Sequence, residues 1–188
     1  ILFGDYNGSL GEVGHFIVVE TRLPALLTAL LAGAGLAVAG LLMQTCFNNP
    51  LAGPSIMGIS SGASLGVALV MMSLGGIAGL WGKMAVVAGA MAGAMLILGI
   101  MLLFSAVVGS SDILLIVGIL IGYLTSSAIS LLNFFSTDSG VHSFVLWGLG
   151  SFAGVTLDSI PLFAAFTLLL LVSSLLYCKS LNALLFGQ

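Results

Sequence analysis

The chain has 188 residues, of which 60% are apolar and 5% charged, with Lys plus Arg 3 against Asp plus Glu 6. A soluble domain carries about 25% charged residues, so this composition cannot cover a water-facing surface. It excludes disorder too, which needs low hydrophobicity and high net charge. Three basic residues cannot neutralise a phosphate backbone, which excludes nucleic acid as a partner. What remains is an integral protein whose first partner is the lipid bilayer.

Taken in chain order, residues 1–21 read as a polar, turn-rich lead-in containing Gly4, Asp5, Asn7, Gly8, Gly11, Glu12, Gly14 and Glu20. Asn7-Gly8-Ser9 matches a glycosylation sequon, a match frequent by chance. No signal peptide is visible after Ile1. The first apolar run, 23–46, is interrupted by Thr28 and, at its end, by Gln44 and Thr45, and exceeds the roughly 20 helical residues needed to cross a bilayer core. Pro24 suits the first turn of that helix, where its missing N–H costs nothing. Pro50 and Pro54 then break it. Further runs cover 55–75, 81–108, 113–135 and 160–178. They are uniformly apolar and about twice a barrel strand's length, so helices are predicted.

Residues 137–158 are too short and Gly-rich to span. They predict a short helix at the interface, with Trp147 as an amphipathic anchor. The expected fold is all-α, a single transmembrane domain over 1–188 with five crossings and one short helix. Alternating sides place Arg22 and Lys83 together and Lys179 opposite, so the positive-inside rule gives no orientation.

Small residues recur at helical spacing. Gly58, Gly62 and Gly66 share a face of the second run, Ala85, Gly89 and Gly93 of the third, and Gly33, Ala37, Gly40 and Gln44 of the first. Such stripes let helix backbones approach closely in lipid. The fourth run carries Gly118, Gly122, Ser126, Ser130 and Asn133, with Thr125 and Ser127 alongside. This polar stripe either hydrogen-bonds to a neighbouring helix or lines a wet pathway.

Catalytic signatures are absent. Gly58-Ile59-Ser60-Ser61-Gly62 matches G-x-S-x-G, but that pattern needs a preceding strand, and here it follows a proline-rich turn. His15 and His142 belong to no metal motif, and Cys46 and Cys178 are not spaced as a metal or redox pair. Gly82-Lys83 is followed by Met84, and position 77 is Ile, so no phosphate-binding loop is present. Any ATP-driven step needs another chain. Lys83, in the first turn of the third run, is the one charge within a run, and no carboxylate lies in any, which argues against an ion-coupled carrier built on carboxylates. A non-transporting scaffold would account for the glycine stripes but leaves the polar stripe without a role.

An ordered series of blocks carries a resemblance: Arg22-Leu23-Pro24, Gly33-Ala34, 36–40, Gln44, Asn49-Pro50-Leu51-Ala52 with Pro54, and 58–63. It continues with Leu114-Leu115 and Gly118, Trp147 with Gly150-Ser151, Leu181-Asn182 and Gly187. The chain resembles the FecCD family of ABC importer permeases, the membrane subunits for iron–siderophore, haem and vitamin B12 uptake in bacteria. The resemblance implies a ten-helix permease, of which this chain holds helices two to six and a short helix after the fifth, with coupling helices opening near Gly187-Gln188.

It further implies a bacterial inner-membrane location and no cofactor in this chain, ATP and magnesium being held by cytoplasmic ATP-binding subunits. The other partners it implies are a second permease copy, making a homodimer or heterodimer, and a periplasmic substrate-binding protein. Residues 1–22 and Trp147 become periplasmic, and the Asn49 loop and Lys179 cytoplasmic. Arg22 matches the first Arg of a docking block for the binding protein, whereas Ala25 replaces the second. Asn49 and Leu51 match a cytoplasmic gate, Ser110 and Ser111 a second one, and Ser126, Ser130 and Asn133 face the translocation path.

Overall fold

The computed structural model describes residues 9–73, 79–152 and 154–186. Ile1, Gly4, Asp5, Asn7, Gly8, Ile77, Gly187 and Gln188, named above, lie outside the described residues. Helix α1 (Ser9–Phe16) continues through a π-helical turn (Ile17–Arg22) into α2 (Leu23–Phe47) without a break. The lead-in is therefore helical from Ser9, and the first spanning helix does not begin at Pro24. Pro24 accounts for the π turn just before it. A proline has no N–H to give the carbonyl four residues back, and its ring crowds that carbonyl. The backbone widens instead, and Leu23 N–H donates to Val18 O, a five-residue step. Pro24 and Thr28 are buried, and the Thr28 hydroxyl donates to Pro24 O at 2.8 Å.

Helix α2 ends in a Schellman arrangement. Asn48 takes the left-handed conformation at φ 46°. Its N–H donates to Thr45 O at 3.3 Å, and Asn49 N–H donates to Gln44 O at 3.1 Å. Pro50 follows where the helix can no longer continue. After two further turns come α3 (Ile59–Ser73), α4 (Leu80–Val107), α5 (Ser111–Phe135), α6 (Asp138–Gly148), a 3-10 turn (Leu157–Ser159), α7 (Ile160–Leu176) and α8 (Cys178–Phe186). The interfacial segment thus forms α6, whose first turn is capped by the Thr137 hydroxyl accepting Gly140 N–H at 3.4 Å. Trp147 stacks on Phe144 within it, with centroids 6.2 Å apart. Ser60 opens a helix that follows a turn, not a strand.

Among the described residues, four helical stretches are long and apolar enough to cross a membrane: Val13–Phe47, Trp81–Val107, Asp112–Phe135 and Leu157–Leu176. The protein is a multi-pass membrane protein. The second apolar run differs from its expected length. Its helix, α3, has 15 residues, about 22 Å at 1.5 Å per residue. Residues 55–58 go into the turn, because Gly58 adopts φ 75° before the helix starts.

Two compact units are present, residues 1–42 with 151–188 and residues 43–150. In the first, a methyl group placed on Gly35 of α2 would lie 3.9 Å from Thr167 Cγ2 of α7. Thr167 is buried there, its hydroxyl bonded to Phe163 O at 2.9 Å. In the second unit, α3 is the most enclosed element, with Gly62, Gly66, Val67 and Ala68 buried. A cluster of Ala52, Met57, Ile97, Met101, Leu114 and Leu115 joins the 52–57 turn to the end of α4 and the start of α5.

Candidate functional site

The α3–α4 contact is set by glycine. A methyl group on Gly62 would meet Gly93 O at 2.7 Å and the Ile97 side chain closer still; one on Gly66 would run into Gly89 O. Reciprocally, a methyl group on Gly93 would run into Gly62 O, and one on Gly89 would meet Gly66 O at 2.9 Å and Val70 Cγ2 at 2.7 Å. The pairs 62/93 and 66/89 run in opposite directions, so the helices are antiparallel and touch backbone to backbone. The α2 stripe behaves differently: a methyl group on Gly33 or Gly40 would meet nothing within 4 Å beyond its own helix.

The polar stripe of α5 divides. Gly118 is buried against the turn before α3, where a methyl group would meet Met57 Cα at 2.8 Å and Ile56 O at 3.1 Å. Gly122 is half-buried near Ser61 Oγ, and a methyl group on Gly58 would lie 2.9 Å from Gly118 O and 3.4 Å from Gly122 N. Gly118 and Gly122 therefore pack against α3 and its turn. Thr125 is 4% exposed, with its hydroxyl on Ile121 O at 2.7 Å. Ser126 and Ser130 are exposed, their hydroxyls donating to Gly122 O at 2.9 Å and Ser126 O at 3.1 Å. Asn133 is half-buried, and its Oδ1, like Ser136 Oγ, is enclosed without a hydrogen-bond partner among the described residues. The reason for the division is geometric. Each four-residue step overshoots one turn by about 40°, so Ser130 lies about 120° around the helix from Gly118.

The loop after α2 is tied by side-chain and main-chain hydrogen bonds. Asn49 Oδ1 accepts Leu51 N–H at 2.9 Å, and Gln44 Nε2 donates to Pro50 O at 3.1 Å. Leu51 is 75% exposed, whereas the adjacent Ala52 is 3% exposed and belongs to the core. Ser110 is the N-cap of α5 with no side-chain cap bond, and Ser111 is its first residue. One turn further, Leu114 and Leu115 join the same cluster as Ala52 and Met57. Asn49, Leu51, Ser110 and Ser111 thus gather at one end of this unit. Arg22, in the other unit, is exposed at the end of the π turn. The Gln44–Pro50 tie went unread in the sequence, although a Gln six residues before a Pro in a helix-ending block is its visible signal. Nothing in the sequence announced the contact of Gly140 with Met71 O and Met72 Cα, both 3.2 Å from an added methyl group.

Residues 2–188 match the FecCD transport family. The chain belongs to that family. The vitamin B12 import system permease protein BtuC of Citrobacter koseri is 36% identical over 188 residues, covering 98% of this FecCD chain and 54% of the relative. BtuC of Salmonella paratyphi A is 38% identical over 153 residues, 81% of this chain and 45% of that one. A metal-chelate type ABC transporter solved in an inward-facing conformation aligns with a TM-score of 0.79 and 31% identity, over 95% of the FecCD chain and 56% of the solved one. The chain spans about half the length of the curated relatives it matches.

Proposed function

We propose that this FecCD chain works as the permease part of a bacterial ABC importer for a metal chelate of the iron–siderophore, haem or cobalamin type. The observation that carries the reading is the likeness to the metal-chelate transporter, at 31% identity and a TM-score of 0.79 over 95% of the chain. The relatives named as vitamin B12 permeases support it. On this reading the chain sits in the inner membrane and pairs with a second permease copy. A periplasmic binding protein docks at the Arg22 end. Two cytoplasmic ATP-binding subunits hold ATP and magnesium, so the permease itself catalyses nothing.

Ser126, Ser130 and Asn133 of α5 would border the path. The two serine hydroxyls already donate to their own helix, which leaves lone pairs as weak acceptors. A surface that wets without gripping suits cargo that must enter and also leave. Asn49 and Leu51, with Ser110 and Ser111, would close the cytoplasmic end. Helices locked in glycine-lined contacts shift as bodies between two packings, because packed interfaces are bistable and do not deform continuously.

Deleting the reading frame in its host tests the proposal through uptake of radiolabelled cobalamin, a ferric siderophore and haem. Loss of uptake of one chelate, restored by the plasmid-borne frame, is the expected outcome. Unchanged uptake of every chelate overturns it.

A further inference from the structure

Gln44 ties the loop after α2 at two points. Its main-chain carbonyl accepts Asn49 N–H at 3.1 Å, and its side-chain Nε2 donates to Pro50 O at 3.1 Å. Pro50 has no N–H, so its carbonyl is the sole main-chain polar group by which that residue can be held. The following peptide is fixed by Leu51 N–H on Asn49 Oδ1 at 2.9 Å, and Ala52 N–H donates to Asn49 O at 3.1 Å. Ala52 is anchored in the core at 3% exposed, leaving Leu51, at 75%, as the projecting side chain of a restrained loop. Asn49 is half-buried and spends its amide oxygen inside the loop, so of these two residues Leu51 is the exposed one, flanked by exposed Pro50.

We infer that Gln44 is a positioning residue for the cytoplasmic gate, holding Leu51 in register through Pro50 O. The inference rests on the reading of Asn49 and Leu51 as that gate. The role needs a hydrogen-bond donor at the end of a side chain of this reach. A Glu at position 44, ionised at this exposed site, has the shape but only accepts, and it repels the carbonyl. Leu has neither function, whereas Lys donates.

The test uses the assembled transporter in lipid nanodiscs, with Cys46 and Cys178 replaced by Ser and Leu51→Cys as the reporter. Its rate of reaction with a water-soluble maleimide is measured without nucleotide and with ATP. The parent is expected to react at different rates in the two states. Gln44→Glu and Gln44→Leu should each raise the rate in the protected state about fivefold, the weight of one ordinary hydrogen bond. Gln44→Lys should keep the parent's rate, with the thermal unfolding midpoint the same in all variants.

Equal rates for the parent in both states overturn the gate reading and the inference with it. State-dependent labelling that Gln44→Glu and Gln44→Leu leave unchanged overturns the inference alone. So does a loss in Gln44→Lys matching that in Gln44→Leu, since the donor would then not be the cause.

Discussion

Gly66 and Gly33 are both helix-interior glycines in stripes of small residues, yet they have opposite surroundings. A methyl group on Gly66 collides with the Gly89 carbonyl, a backbone atom that cannot swing aside; on Gly33 it meets nothing within 4 Å. Gly66→Ala should therefore destabilise the transporter by about 1–3 kcal/mol, the range for overpacking a close contact. Gly33→Ala, by removing backbone freedom from an exposed helix site, should be neutral or stabilising by up to about 1 kcal/mol. Thermal unfolding of the two variants in detergent checks both signs. Gly58 adds a second constraint to its crowding. At φ 75° and with Gly118 O 2.9 Å from an added methyl group, Gly58→Ala carries a conformational cost of about 1–2 kcal/mol besides the clash. Its unfolding midpoint should fall further than that of Gly40→Ala, where nothing lies within 4 Å.

At the scale of an element, α5 shows what spacing alone leaves open. Gly118, Gly122, Ser126 and Ser130 look like one stripe because each is four residues from the next. The four-residue step drifts by about 40°, so the stripe starts under the Met57–Gly58 turn and ends on an exposed flank. Cysteines at Ser126 and Ser130 in the assembled transporter should react readily with a small water-soluble thiol reagent, while one at Thr125, 4% exposed, should stay protected. Protection at both serines with access for lipid-soluble reagents would place this flank against acyl chains and remove it from the path. Pro24 makes the same point for α1 and α2. A proline near the start of an apolar run suggests a helix N-terminus, but Leu23 N–H bonds Val18 O across a π turn. The helix accommodates the proline and carries on.

At the scale of the whole molecule, the number of crossings turns on α3. Its 15 residues reach about 22 Å, short of a hydrocarbon core of about 30 Å. Antiparallel contact through 62/93 and 66/89 runs α3 alongside α4, a helix long enough to span. Cysteines at Asn49 and Lys83 should accordingly react with a membrane-impermeant maleimide from opposite faces: Lys83→Cys in intact spheroplasts, Asn49→Cys only after lysis. Reaction of both from one face would make α3 a re-entrant segment.

Composition by itself determined that the chain lives in lipid, since 5% charge cannot face water on all sides. Backbone groups in hydrocarbon must be paired internally, and that made long apolar runs into helices without reference to any neighbour. The Asn49-Pro50-Leu51-Ala52 block placed the chain in its family. Which glycine face meets a partner, which half of the α5 stripe is buried, and what holds Leu51 outward were decided only by the tertiary structure. Glycines against a backbone carbonyl and glycines with nothing near them are spaced alike in the sequence. The difference is whether another helix lies over them, and that depends on residues far away in the chain.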